Sequence, residues 1–222
     1  MEGIVQGTEE WHAVRLGKVT ASRIADVCAR TSKGWGASRK NYMADLVVER
    51  LTGKRTEGFT NDAMRWGTEH EPDARAAYQF HANTRVLQVG FVPHPRISNT
   101  GASPDGLVGT DGLVEIKCPN SATHIETLQG GSLPEKYFLQ IQWQLACTGR
   151  QWCDFVSFDP RLPEPMRLFV DRVERDGAAI VAIEKDVADF LNELGAIVHR
   201  LRAKYEPEAF EVPEAALNVM AG

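Results

Sequence analysis

The 222-residue sequence predicts an α/β protein in which a central β-sheet is flanked by helices. Short segments rich in apolar and β-branched residues cluster between residues 86 and 173, as expected for strands. Segments with helical periodicity lie before, between and after these strands, and the longest covers residues 177–205. Elements in this order are typical of an α/β sandwich.

Five helices are predicted from periodicity and from residues typical of helix ends. Thr20 or Ser22 lies near the N-cap of the first helix, Gly53 ends the second, and Asp62 is a plausible N-cap of the third. The predicted helices cover residues 20–30, 38–51, 62–82, 135–148 and 177–205. Strands are predicted over residues 86–94, 154–158 and 167–173, in addition to a hairpin between residues 105 and 117.

Length and composition favour one domain over residues 1–222, with a flexible tail over 206–222. Hydrophobic residues make up 43% of the chain, which is enough for a sizeable core. No apolar run approaches the roughly 20 residues of a membrane span, and no leader is recognisable, so we expect a protein of the bacterial cytoplasm. The four cysteines form no Cys-x-x-Cys pair and are expected to be reduced thiols.

Charge is distributed unevenly along the chain, whose net charge is −5. Residues 11–40 carry seven basic side chains and one acidic one, whereas residues 171–222 carry six basic and eleven acidic ones. This asymmetry suits an enzyme that steers a polyanion towards one face, with a candidate DNA-binding strip from Arg23 to Lys40. The alternative is a solvated basic face without a ligand.

Residues 103–119, SPDGLVGTDGLVEIKCP, form the most informative motif. The Asp-Gly pair at 111–112 predicts a hairpin turn that brings Asp105 beside Glu115. Because side chains alternate along a strand, Glu115 and Lys117 project to the same side. The residues that face the opposite layer are Val114, Ile116 and Cys118.

Two carboxylates beside a lysine suit Mg²⁺ or Mn²⁺, which take oxygen ligands and hold water and phosphate oxygens. Lys117 can orient a metal-bound water, accept its proton, or neutralise charge on the phosphorane. Such short motifs also occur by chance. A carboxylate and an ammonium framed by apolar residues are nevertheless costly to bury without partners, and a metal supplies the missing partner. The histidines show no paired metal spacing, which favours Mg²⁺ over Zn²⁺.

The arrangement of Asp105 and Glu115-Ile116-Lys117 resembles the PD-(D/E)XK nuclease motif. Its wider form looks like that of the phage alkaline exonucleases, which include the lambda-phage exonuclease and the YqaJ-type viral recombinases. Three further blocks match this family in the correct order: WH…RLG…TAS at 11–22, WG…E…AR at 66–75 and Y…QIQ at 137–142. The resemblance covers roughly residues 11–160 and implies a restriction-endonuclease-like core with a central mixed sheet.

The resemblance also implies roles at the metal site. Two Mg²⁺ ions would be held by Asp105, Glu115 and the Ile116 carbonyl, with help from Glu71. Lys117 and Gln140 would manage the attacking water, and an amide at position 140 is suited to holding it. Gln142 is expected to serve helix packing or to support the site indirectly.

A second candidate site combines Arg15 with hydroxyl groups of Thr20, Ser22 and Ser103. An arginine beside hydroxyls and a helix N-terminus suits a terminal phosphate, and the related exonucleases hold the 5′-phosphate in this region. The chain departs from the family pattern after Pro119, where an arginine of the lambda-type enzyme is missing. His124 lies in the stretch that replaces it and could substitute for the arginine, but an exposed loop histidine without a role is the expectation.

Met64 occupies the position where the family places an apolar wedge that separates the strands of a duplex. The alternative is that Met64 is an ordinary core residue on an amphipathic helix.

Together these features predict a Mg²⁺-dependent 5′→3′ exonuclease that acts on double-stranded DNA ends in phage or prophage recombination. The resemblance implies a ring-shaped homotrimer and a single-strand annealing protein as partner. Two alternatives remain: a structure-specific endonuclease or resolvase on the same core, and a catalytically silent DNA-end-binding protein. The complete Asp-Glu-Lys set argues against the silent protein, and the lack of an additional DNA-reading module argues against a sequence-specific endonuclease.

Overall fold

A computed structural model of the chain describes residues 4–56 and 62–206. The predicted tail beyond residue 206 and the side chain of Met64 lie outside the described residues. The described helices are α1 (Glu9–Arg15), α2 (Ile24–Val27), α3 (Ala37–Thr52), α4 (Asp62–His81), α5 (Ser121–Gly130), α6 (Phe138–Thr148) and α7 (Gly177–Tyr205). The described strands are β1 (Val19–Thr20), β2 (Arg30–Thr31), β3 (Gly34–Trp35), β4 (Val86–Leu87), β5 (Val92–Pro93), β6 (Thr100–Ala102), β7 (Gly106–Val108), β8 (Gly112–Lys117), β9 (Trp152–Phe158) and β10 (Leu168–Glu174).

A five-stranded mixed sheet forms the centre of the fold, with strand order β10-β9-β8-β7-β4. Strands β8 and β9 are parallel, and Lys117 lies opposite Ser157 at their carboxyl ends. The other neighbouring strands of this sheet pair in antiparallel orientation. A three-stranded sheet, β1-β6-β5, and a small β2-β3 ribbon lie outside it. The predicted mixed sheet with flanking helices is therefore confirmed.

Alternation along β8 separates two apolar layers. Leu113 belongs to the larger core, together with Trp143 of α6 and Phe190 of α7. The residues of the opposite face pack in a second core with Ala74 and Tyr78 of α4. This second group, as predicted, contains Val114, Ile116 and Cys118. A strand buried on both faces places Glu115 inside the protein, where a carboxylate needs partners.

Helix ends follow the expected chemistry. Gly53 adopts the left-handed conformation that ends α3, and Asp176 caps α7 by accepting hydrogen bonds from the first-turn amides of Ala178 and Ala179. The predicted bounds of α7 agree with the structure, those of α3 differ by one residue at each end, and those of α4 by one residue at its C-terminal end. The predicted helix 135–148 begins with a 3₁₀ turn, Glu135–Tyr137, which continues as α6.

The predicted helix over 20–30 is wrong in extent. Thr20 pairs with Gly101 in β1, a 3₁₀ turn covers Ala21–Arg23, and α2 contains only four residues. Arg30 instead belongs to the β2-β3 ribbon, where its guanidinium lies 3.9 Å from the centre of the Trp35 ring. Strand pairing, long-range at Thr20 and local at Arg30, therefore overrides the helical periodicity of this segment.

The predicted strand over 86–94 is divided between two sheets, because β4 pairs with β7 whereas β5 pairs with β6. Between them, a Cβ atom at Gly90 would lie 2.1 Å from the Ile4 carbonyl oxygen. The N-terminal segment therefore crosses the chain at the point where it changes sheets.

The predicted hairpin is present, but its turn differs from the prediction. Val108 pairs with Gly112, and residues 109–111 connect them with Gly109 at φ +52°. Gly112 is already part of β8, where a Cβ atom would lie 2.1 Å from the Trp152 ring. The Asp-Gly pair therefore marks the end of the turn, and the left-handed position belongs to Gly109.

The prediction of a DNA-binding strip from Arg23 to Lys40 is wrong for Arg39, which is buried. Arg39 is 3% exposed and donates two hydrogen bonds to Glu193 of α7, at 2.8 and 3.0 Å. Arg30 donates to Asp186 of α7 at 2.6 Å. Part of the basic excess near the N-terminus thus neutralises the acidic helix near the C-terminus and attaches it to the core. None of the described helices is both long and apolar enough to cross a membrane.

Candidate active site

The hairpin brings Asp105 and Glu115 together, as the sequence predicts. Asp105 immediately precedes β7, and its Oδ2 atom accepts a hydrogen bond of 2.6 Å from the main-chain amide of Ile116. This bond attaches the Asp105 carboxylate to the central strand beside Glu115.

Glu115 is 2% exposed and has three side-chain donors. Its Oε1 atom accepts hydrogen bonds from Lys117 Nζ and Gln140 Nε2, each at 2.5 Å. Its Oε2 atom accepts a hydrogen bond of 2.6 Å from Gln144 Nε2. The charge of this buried carboxylate is therefore compensated by one ammonium and two amides.

Gln144 was not among the predicted site residues. A glutamine pair at positions 140 and 144 lies on one face of a helix, and this i, i+4 spacing is the signal that identifies it. Gln142 points elsewhere, as expected: its amide donates to the Glu174 carbonyl and accepts from the Asp176 amide. It joins α6 to the start of α7.

The two carboxylates and the lysine perturb one another. Burial, and then repulsion from Glu115, raises the pKa of Asp105 well above its usual value. Burial alone would lower the pKa of Lys117, but attraction by Glu115 and Asp105 outweighs burial and raises it. Without a metal, Lys117 is therefore an ammonium ion bound to Glu115.

Glu71 lies on α4 and is close enough to repel Asp105, since its charge contributes to the raised pKa of that carboxyl. Its carboxylate forms an ion pair with Arg75, one turn later on the same helix. The structure thus places Glu71 near the cluster, as predicted, and shows Arg75 as its present partner.

The donor set suits a hard divalent cation. Among the described residues, no three His, Cys, Asp or Glu side chains are grouped closely enough to hold a metal ion. Mg²⁺, however, is usually bound by only one or two carboxylates, with water and substrate phosphate as further ligands. Asp105 and Glu115 supply this number, and because burial and repulsion from Glu115 raise the pKa of Asp105, a cation would stabilise its ionised form.

The predicted phosphate-binding residues are also brought together. Arg15, Thr20 and Ser22 line an open cleft of about 1280 Å³, which Glu71 and Arg75 also line. Arg15 Nη1 donates to Ser103 Oγ at 3.1 Å, and Thr20 Oγ1 lies 3.4 Å from Ser22 Oγ. The cleft therefore extends from Arg15 to the acidic side of α4.

Arg15 is held in place by Trp11. The indole Nε1 donates to Ser103 Oγ at 3.0 Å, and the guanidinium lies 3.8 Å from the centre of the indole ring system. Within the described residues Arg15 forms no ion pair, and burial lowers its pKa to about 10. Arg15 is thus a positioned cation that would be stabilised by an incoming anion.

The prediction that His124 is an exposed loop residue is wrong. It lies in α5 and is fully buried, with Nδ1 2.7 Å from Ser157 Oγ and Nε2 2.8 Å from the Met166 carbonyl oxygen. Since a carbonyl oxygen only accepts hydrogen bonds, Nε2 must carry the proton. His124 therefore connects the strands to the loop before β10 and cannot replace the missing arginine.

Residues 10–151 match the family model of the YqaJ-like viral recombinase domain. The chain belongs to the YqaJ-like viral recombinase family. Two crystal structures of the alkaline exonuclease LHK-Exo from Laribacter hongkongensis are 55% identical to this recombinase-family chain, and the match covers 90% of it and 99% of LHK-Exo. The TM-score is 0.84, and it is 0.85 for LHK-Exo in complex with dAMP.

A phage-related exonuclease from Haemophilus somnus 129PT is 14% identical, with a TM-score of 0.67 over 83% of this chain and 96% of that one. At this identity the similarity shows the fold alone. An uncharacterized protein of Acanthamoeba polyphaga mimivirus is 33% identical over 168 residues. That match covers 68% of this YqaJ-like chain but only 29% of the viral protein.

These comparisons confirm the predicted family and the predicted PD-(D/E)XK-like fold. The YqaJ-like chain is a nuclease of the type involved in recombination, a hydrolase that acts on DNA. Nucleases of this family generally use divalent metal ions.

Proposed function

We propose that the protein is a Mg²⁺-dependent exonuclease that digests double-stranded DNA from 5′ ends and leaves 3′ single-stranded overhangs for recombination by strand annealing. The observation that carries this proposal is the cluster of Asp105, Glu115 and Lys117 on one hairpin, near a cleft that contains Arg15. The cluster suits phosphodiester hydrolysis, and the cleft suits a phosphorylated DNA end.

A first metal ion would be held by the Asp105 and Glu115 carboxylates and the Ile116 main-chain carbonyl. The resemblance to phage exonucleases favours a second ion, which Glu71 would help to hold after it leaves Arg75. When bound, Mg²⁺ or Mn²⁺ supplies Lewis-acid stabilisation of the phosphate and a water of lowered pKa. When both carboxylates are ionised, Asp105, Glu115 and Lys117 together carry one net negative charge, which such an ion would offset.

Lys117 and Gln140 are placed to position the attacking water. In the metal-free protein both donate to the same oxygen of Glu115. Binding of a metal ion to that oxygen would therefore release the N–H groups of both residues together. The raised pKa of Lys117 keeps it protonated, which favours orientation of water and neutralisation of phosphorane charge. The lysine would become a proton acceptor only if the two carboxylates lost their attraction for its charge.

Arg15 would bind the terminal 5′-phosphate, assisted by the hydroxyls of Thr20, Ser22 and Ser103. A partly buried guanidinium whose described polar partner is a serine hydroxyl gains more from a phosphate dianion than one already paired with a carboxylate. Met64 remains the proposed wedge. Its backbone lies in the first turn of α4, the helix that contains Glu71.

A ring-shaped homotrimer and cooperation with a single-strand annealing protein belong to the same proposal, supported by the family resemblance. Light scattering of the purified protein measures the oligomeric state. A monomer at micromolar concentration would contradict the ring.

Digestion of duplexes labelled at either the 5′ or the 3′ end tests the proposed activity. We expect linear duplex to be shortened from its 5′ ends with Mg²⁺ and to be stable with EDTA, and covalently closed circles to survive. Cleavage of circles would favour the endonuclease, and binding without hydrolysis the silent protein. Asp105→Ala, Glu115→Ala and Lys117→Ala should each abolish digestion without loss of the fold. If all three retain near-wild-type digestion, the proposed site is wrong.

A further inference from the structure

Arg161 lies at the carboxyl ends of the two parallel strands. Lys117 and Ser157 end the paired region of β8 and β9, and Pro119 and Asp159 follow two residues later. Arg161 Nη2 donates to the Pro119 carbonyl oxygen at 3.2 Å. The carboxyl edge of parallel strands is the usual ligand side of an open α/β sheet. Arg161 is therefore attached to the loop that leaves the catalytic strand.

The guanidinium of Arg161 is held rigidly. Its Nε and Nη2 atoms donate to the two carboxylate oxygens of Asp159, at 2.7 and 2.9 Å. The Cζ atom of this guanidinium lies 4.1 Å from the centre of the Trp66 ring on α4. The Asp159 side chain is fully buried, whereas that of Arg161 is 43% exposed. The guanidinium therefore has one edge bound to Asp159 and one face stacked on Trp66, and its remaining edge is left for a ligand.

That remaining edge is the Nη1 group, which donates no hydrogen bond to any of the described residues. A strand rises about 3.3 Å per residue, so Pro119 lies about 7 Å beyond Lys117. This distance is comparable to the spacing of successive phosphates along a nucleic acid strand. The loop that Arg161 contacts therefore lies about one phosphate spacing beyond Lys117 along the strand direction.

We infer that Arg161 binds a backbone phosphate of the DNA strand adjacent to the scissile one, and so positions the strand across the catalytic hairpin. The inference rests on the proposed function. Arg161, from a different segment of the chain, would then supply an arginine at the loop after Pro119, where the sequence lacks one. Arg161 contacts a phosphate within the strand, so the preference for a 5′-phosphorylated end would still depend on Arg15.

The chain contains a matched control for this site. Arg172 donates to both oxygens of Asp154, at 2.7 and 2.9 Å, and lies 3.6 Å from the centre of the Trp152 ring. The side chains of Arg172 and Asp154 are 51% and 5% exposed. The construction is the same, but Asp154 lies five residues before Asp159 along the strand, about 16 Å from it. Asp154 is therefore far from the carboxyl edge of the parallel strands.

The first test replaces each ion pair by a neutral pair, so that net charge is unchanged and no buried carboxylate is left without a partner. Binding of a fluorescent duplex with a 3′ overhang is measured in EDTA over a series of NaCl concentrations. For Asp159→Asn/Arg161→Gln we expect a salt slope smaller by about 0.7–0.9, because one phosphate contact is lost. We also expect about tenfold weaker binding, since a hydrogen bond to a charged group is lost.

The control Asp154→Asn/Arg172→Gln should keep the wild-type slope and affinity. An unchanged slope in the Arg161 variant, or an equal reduction in both variants, would overturn the inference.

A second measurement uses the wild-type protein and does not depend on the folding of any variant. Phenylglyoxal modifies exposed arginines, and mass spectrometry compares the modification of Arg161 and Arg172 with and without DNA. DNA should protect Arg161 and leave Arg172 reactive, whereas equal modification of Arg161 in both states would contradict the contact. Digestion of linear duplex without protection of Arg161 would remove only this inference, whereas a wild type that does not digest DNA would remove the proposed function.

Discussion

Replacement of Gln144 by leucine tests whether the buried surroundings of Glu115 serve catalysis. Gln144 is fully buried and is the described donor to Glu115 Oε2, at 2.6 Å. Leucine is similar in size but cannot donate, so one oxygen of a buried carboxylate loses its partner. A hydrogen bond to a charged group contributes about 1.5–3 kcal/mol, and we expect the free energy of unfolding to fall by about 2 kcal/mol. For a chain of this length that corresponds to a melting temperature lower by about 4–8 °C.

The same substitution should reduce the rate of DNA digestion by about 10- to 100-fold, because Glu115 loses the group that orients it towards a metal ion. Gln142→Leu is the matched control. Gln142 is equally buried and makes two hydrogen bonds, but these connect α6 to the β10-α7 loop. We expect a comparable loss of melting temperature, since two neutral bonds contribute about 1–3 kcal/mol together. Its digestion rate per folded molecule should stay close to that of the wild type.

Digestion rates are measured at saturating Mg²⁺ and at a temperature below the melting transitions of both variants. Melting temperatures are measured with and without Mg²⁺. If Gln144→Leu melts earlier but digests DNA at the wild-type rate, Glu115 does not depend on Gln144 for its function. If Gln142→Leu loses as much activity, the loss reports general damage to α6 and the reasoning fails.

Three further predictions concern charge. Burial and repulsion from Glu115 raise the pKa of Asp105, so the stability contributed by its protonated form is lost as pH rises from about 3.8 through the raised folded pKa. Metal-free Asp105→Asn should therefore melt at a higher temperature than the wild type at pH 8, and the difference should shrink towards pH 4. Calorimetry that shows no such trend would contradict the raised pKa. Arg15→Ala should remove the preference for 5′-phosphorylated over 5′-hydroxyl ends in a competition digest while slow hydrolysis persists, and a retained preference would move the phosphate site elsewhere. Arg39→Gln should lower the melting temperature by several degrees and leave the salt slope of DNA binding unchanged, because Arg39 pairs with Glu193. A reduced slope would show that Arg39 belongs to the DNA-binding surface.

Much of the catalytic hairpin could be predicted from the sequence because its geometry is local. The period of two along residues 113–118 assigns Glu115 and Lys117 to one face, and the turn residues return the chain within a few positions. The structure agrees on the placement of Asp105, Glu115 and Lys117. The long helix α7 and the end of α3 at Gly53 were predicted for the same reason, since periodicity and end residues are read within a short window.

Other features were decided by segments that are distant in the sequence. Arg39 looks like part of a nucleic-acid surface until α7 places Glu193 against it. His124 becomes buried only because β9 and the loop before β10 cover α5.

The sequence by itself therefore determined the chemistry of the site: two carboxylates, one lysine and the strand that presents them. Only the tertiary structure decided how these groups are compensated, through Gln140 and Gln144 on Glu115, and that Arg161 reaches the loop after β8. The physical reason is the range of the forces involved. Backbone preference and side-chain alternation act between neighbours in the chain, whereas the cost of burying a charge is met by whichever donors packing brings to it, irrespective of their distance in sequence.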